Sequence, residues 1–318
     1  MKTSEKENRE ISRSRLRAIN KLGYLMTASA LFFANTDKSI GDLVWHGNDN
    51  MLVYEDEVKP GLESWVVVPG LGVQSGSGIA STLNNTLGHR SNLTYFNYSD
   101  NGAQIDEMSS DILELYNQTK APVSFYAHSM GASITLKVLQ KLNNQVPISN
   151  IVFDCSPFDV GDASNPATPI YSEVLPAYGG GFISKIGAET LNNTLLHENK
   201  NLSFYGQLKD SLRIAITGSS PRLFTDQLGI LGDTDSLSYG DYISDTTRVI
   251  YVKPNNSSDD DTVNVDSSIE KYKQIVGDKL IVVNVKYGKH ASPTQRPSEY
   301  NSALWPYIVG LQEEPHKQ

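Results

Sequence analysis

From about Asp42 onward the chain alternates short, fully apolar runs with longer amphipathic stretches. Asp42–Trp45 and Met51–Tyr54 are strand candidates joined by a turn-rich link, His46 to Asn50. Trp65–Val68 is apolar throughout and ends at Pro69-Gly70, the pattern of a strand covered on both faces in a parallel sheet. Leu93–Asn97, Val123–Ala127, Ile151–Phe153, Arg248–Val252 and Leu280–Val285 are further strand candidates. Apolar positions recur at helical spacing over residues 102–117, over Met130–Leu142, around Ser267–Val276 and over Ser298–Leu311. This alternation predicts an α/β fold, a doubly wound and mostly parallel sheet. The rhythm breaks at about 164–244, too long a stretch for an ordinary loop, which we read as a cap inserted into the sheet domain.

The N-terminal 34 residues have a different texture. Arg13, Arg15, Arg17 and Lys21 precede an apolar run, Leu22 to Ala34, interspersed with small residues. That arrangement is signal-peptide-like, or a membrane tether, and predicts a secreted or membrane-tethered protein with a folded body over 35–318; if the apolar run is instead an amphipathic helix lying on the domain and not a signal, the protein is cytoplasmic. The whole chain has 318 residues and a net charge of −9. The leader holds seven of the 27 basic and three of the 36 acidic residues, so the body without it carries −13. Such an acidic balance excludes a nucleic-acid groove and leaves the N-terminal segment as the one route to a membrane. The single cysteine, Cys155, excludes an internal disulfide and a cysteine-built zinc site and reads as a small buried hydrophobe.

Candidate chemistry sits at the ends of the strands. Ala127-His128-Ser129-Met130-Gly131 lies between an apolar strand and an amphipathic helix. It resembles the G-x-S-x-G nucleophile elbow of the α/β-hydrolases, with Ala127 in place of the first glycine. A serine on so tight a turn is strained, and only small residues fit two positions either side of it. The helix that follows directs its N–H groups and positive dipole end toward the site. Ser133 and Thr135 read as helix residues without a chemical part. By the same resemblance, Pro69-Gly70-Leu71-Gly72 after the Trp65 strand is the oxyanion loop, which makes the backbone N–H groups of Leu71 and Met130 the oxyanion hole.

The resemblance further implies a base and an acid. His290 lies between the last strand and the last helix, where the family keeps its histidine. The loop after the Arg248 strand holds Asp259, Asp260 and Asp261, and Asp261-Thr262-Val263 best matches the family's Asp-x-Val, with Asp260 as runner-up and Asp259 third. Asp159, after the Ile151 strand, stands at an alternative acid position. The order Ser129, Asp261, His290 is the α/β-hydrolase order. The implied activity is a serine hydrolase of the carboxylesterase or lipase type, acting on a small acyl substrate, ester, thioester or amide, through an acyl-enzyme. No metal or organic cofactor is required. An acyltransferase or a non-catalytic binding protein on the same fold are the alternatives.

Overall fold

The structure is a computed structural model, and it describes residues 51–99, 102–164, 221–233 and 239–310. All of these fall in one compact unit spanning residues 46–177 and 216–318. The leader, the Asp42 strand and most of the expected cap lie outside the described residues.

Among the described residues seven strands form one sheet: β1 (Met51–Tyr54), β2 (Ser64–Val68), β3 (Asn92–Asn97), β4 (Val123–His128), β5 (Ile148–Asp154), β6 (Arg248–Pro254) and β7 (Leu280–Val285). Their spatial order is β1-β3-β2-β4-β5-β6-β7, with β1 antiparallel to β3 and every other pairing parallel. Among the described residues six helices connect them: α1 (Ser77–Leu87), α2 (Ile105–Thr119), α3 (Gly131–Leu142), α4 (Pro221–Gly232), α5 (Val265–Val276) and α6 (Pro297–Ile308).

The unbroken apolar runs are explained by burial on both faces. Along β2, Val66 and Val68 join one hydrophobic cluster while Trp65 and Val67 join another. The same split separates Phe125 and Ala127 from Tyr126 on β4, and Val249 and Tyr251 from Ile250 and Val252 on β6. The first cluster is closed by the apolar stripes of α2, α3 and α5, the second by α1 and α6. The sheet is therefore doubly wound, as the alternation predicts. α1 was not among the expected helices. Its stripe, Ile79, Ala80, Leu83 and Leu87, is diluted by Ser, Thr, Asn and Gly, which favour turns and hide a helical period. β5 and β6 are neighbours, so the long excursion between them leaves and re-enters the sheet at adjacent strands. Of that excursion, α4 and a short turn at Tyr239–Tyr242 are described. The cap reading otherwise falls on residues outside the description.

Candidate active site

The site lies at the C-terminal ends of β2, β4, β6 and β7, where an open parallel sheet leaves its crevices. β4 runs straight into α3 through Ser129, whose φ of 51° is left-handed. For a residue with a Cβ this conformation is strained, and the surroundings hold it there. Ser129 N–H donates to the Asp154 carbonyl at the end of β5 (2.8 Å). Gly131 backs onto β2: a Cβ there would collide with the Val68 carbonyl oxygen and come within 2.9 Å of the Pro69 carbonyl oxygen. Gly70 is pressed against the elbow from the other side, since its Cβ would stand 2.9 Å from Ser129 Cβ. The small residues of both motifs are thus required by close approach of two backbones.

Ser129 Oγ lies 2.8 Å from His290 Nε2. His290 Nδ1 lies 3.0 and 3.1 Å from the two carboxylate oxygens of Asp260. The Asp260 side chain has no solvent exposure, and its Oδ1 also accepts from Thr262 N–H (3.0 Å) and Val263 N–H (2.8 Å). The acid at the histidine is therefore Asp260, not Asp261. A 3-10 turn at Ser257–Asp259 sends Asp260 inward, and Asp261 is exposed, bonded to the Thr262 hydroxyl. Asp259 is also exposed and meets the Asn256 amide. Asp159 is not brought to His290: both its oxygens receive Lys271 Nζ at 2.8 Å, and it caps the short turn Val160–Asp162.

The N–H groups of Leu71 and Met130 stand on the two loops that flank Ser129. Neither donates a hydrogen bond to a partner among the described residues. Gly72 N–H donates instead to Gln227 Oε1 on α4 (3.1 Å), and Gln227 Nε2 donates to the Gly70 carbonyl (3.4 Å). No motif or period in the sequence marks Gln227, which lies in the stretch without a readable rhythm.

No family model matches the chain, and no curated protein matches it. Solved structures do. A carboxylesterase structure from Nitrososphaera gargenis superposes with a TM-score of 0.55 at 11% identity, covering 84% of this chain and 97% of that one. A lipase-esterase related protein from Clostridium acetobutylicum gives 0.52 at 12% identity, covering 82% and 100%. A meta-cleavage product hydrolase from Pseudomonas fluorescens gives 0.51 at 10%, covering 82% and 94%. The chain has the α/β-hydrolase fold.

In this α/β-hydrolase fold the histidine loop is itself tied down. His128, beside the serine in sequence, turns away from it and lies with Nε2 2.7 Å from the Ala291 carbonyl. That acceptor assigns the proton to Nε2 and leaves Nδ1 buried without a partner among the described residues. Burial of the ring pushes its pKa down to about 4, against the pull of the Ala291 carbonyl. Ser292 N–H donates to the Tyr300 hydroxyl (2.9 Å), which donates to Asp154 Oδ1 (3.1 Å); Tyr126 donates to Asp154 Oδ2 (2.6 Å). Asp154 is fully buried, and burial raises its pKa to about 6 although both hydroxyls oppose the shift. Cys155 is buried as expected, its Sγ 3.7 Å from the Lys289 carbonyl. Its sulfur and the side chains of Asp260 and His290 lie within 4.8 Å of one another, the one grouping of metal-ligand atoms among the described residues. His290 and Asp260 already satisfy each other there, so the grouping follows from their own pairing.

Proposed function

We propose that the protein is a serine hydrolase that cleaves a carboxylic ester, or a related thioester or amide, with Ser129 as nucleophile, His290 as general base and Asp260 as the acid behind it. The observation that carries this reading is the continuous chain from Ser129 Oγ to His290 Nε2 (2.8 Å) and from His290 Nδ1 to Asp260 (3.0 Å). His290 takes the serine proton as Oγ bonds to the acyl carbon. Asp260 orients the ring and stabilises the imidazolium. The carbonyl oxygen becomes negative and is met by the N–H groups of Leu71 and Met130, at the positive end of α3. His290 then protonates the leaving group, and the same residue activates water to release the acid. Carboxylesterase action is the specific form we favour, on a small acyl substrate. The leader is read as an export or tethering segment, and if the apolar run is cleaved, secreted material should begin near Asn35.

A fluorophosphonate probe tests the reading directly. The native protein should label covalently and Ser129→Ala should not; labelling that persists in the variant, or is absent from both, overturns it. Acyl esters of graded chain length, turned over with and without an added alcohol acceptor, then separate hydrolysis from acyl transfer.

A further inference from the structure

We propose that Gln227 is a positioning residue for the oxyanion hole, fixing the direction of the Leu71 N–H through the other end of its own peptide unit. The inference rests on the serine-hydrolase reading and adds a residue to it. The Leu71 N–H and the Gly70 carbonyl belong to one planar trans peptide, so they point in opposite directions and turn together. Gln227 Nε2 donates to that carbonyl at 3.4 Å, and Val73 N–H donates to it at 3.2 Å. The other end of the same amide, Oε1, accepts from Gly72 N–H at 3.1 Å. One rigid amide thereby brackets Leu71 from both sides.

The bracket answers a physical need. Leu71 is flanked by two glycines, Gly72 at a φ of 71°, and a peptide between such neighbours rotates at little steric cost. A half-turn of that peptide would aim the Gly70 carbonyl, rather than the Leu71 N–H, at the developing negative charge. Bonds to the carbonyl oppose the rotation and polarise the N–H at the far end of the unit. Gln227 has no solvent exposure, so water does not compete for its amide. Its helix is separately fastened, because the neighbouring Asp226 accepts from Ala103 N–H at 2.7 Å through Oδ2. Asp226 thus holds α4 without touching the oxyanion loop.

The test compares Gln227→Met, close in volume but unable to form either bond, with Gln227→Glu, which keeps an acceptor for Gly72 and sets an anion against the Gly70 carbonyl. Asp226→Ala, which loosens α4 alone, is the control. Readouts are the fluorophosphonate labelling rate, kcat and KM for p-nitrophenyl acetate, and Tm. Removing an oxyanion donor outright costs about 100-fold or more in kcat, so a misdirected donor should cost about tenfold in Gln227→Met and more in Gln227→Glu. KM should stay within about twofold, since the donor's bond to the acyl oxygen strengthens chiefly as negative charge develops in the transition state. Asp226→Ala should label at nearly the native rate. Native labelling that depends on Ser129, combined with either Gln227 variant labelling within about twofold of native, overturns this inference and leaves the hydrolase reading standing. Equal slowing in Asp226→Ala overturns it too, because loosening the helix would then suffice. Should Gln227→Met fail to fold, Gln227→Glu decides alone. No Ser129-dependent labelling in the native protein removes both proposals.

Discussion

Ser129 carries two burdens at one position, a hydroxyl and a left-handed backbone. They can be separated by substitution. Ser129→Ala and Ser129→Gly both lose the hydroxyl, but only glycine accepts a φ of 51° without strain. Ser129→Gly should therefore be more stable than Ser129→Ala by about 1 kcal/mol in urea unfolding, with both inactive. The acid offers a second separation. Asp260→Asn should lower kcat by about 10⁴-fold, as expected when a carboxylate that fixes the histidine tautomer is lost. Asp261→Asn, one residue along, should leave steady-state kinetics within about twofold of native, because its carboxylate is exposed and bonded to Thr262. At this scale the meeting of Ser129 with His290 was legible from the motif and the address in the chain. The acid was not, because three consecutive aspartates differ only in which way the turn points them. The Asx-type bonds from Thr262 and Val263 N–H to Asp260 select it, and backbone bonds of that kind are invisible in a row of identical letters.

The acid loop is held by its neighbours. Asp162, with no side-chain exposure, accepts from Lys271 Nζ (2.7 Å), the Ser267 hydroxyl (2.6 Å) and Phe158 N–H (3.0 Å). Its carbonyl accepts from Asn264 N–H, and Ser164 N–H donates to the Thr262 carbonyl, so the turn after β5 and the loop carrying Asp260 are laced together ahead of α5. Lys271→Met would leave Asp162 buried without its cation, at a cost of about 3 kcal/mol in urea unfolding. Asp159, half of the same clamp, looked from the sequence like a spare acid; it is a partner of Lys271. Elements with strong periods, such as α2 and α3, were readable from spacing alone. α1 was lost to its polar composition, and α4 to the missing strand-helix rhythm around it.

Two buried ionisable groups under the histidine loop shape the whole molecule's response to pH, in opposite senses. His128 titrates at about 4 in the folded protein instead of its ordinary 6.5, so the stability it contributes is complete above about pH 6.5 and is lost as pH falls through about 4. Asp154 titrates at about 6 instead of 3.8, so its contribution is complete below about pH 3.8 and is lost as pH rises through about 6. Between pH 4 and 6.5 the two largely offset. Asp154→Asn keeps an acceptor oxygen for one of the two tyrosine hydroxyls and removes one side of the balance. The variant should lose stability on acidification from pH 6.5 to 4 more steeply than the native protein, by up to about 3 kcal/mol, read from urea midpoints at a series of pH values. Identical pH profiles for the two proteins would contradict this assignment.

The strand order has a last consequence. Ser129 follows β4, deep in the middle of the sheet, whereas His290 follows β7, which among the described residues is paired on one side only. Outer strands open first in local unfolding events, long before a central strand lets go. Ser129, the proposed nucleophile, thus rests on a core strand, and His290, its proposed base, on a margin that can fray while the core stays intact. Under mounting stress the proposed activity would be lost while the protein is still folded, with Ser129 in place and no base to take its proton.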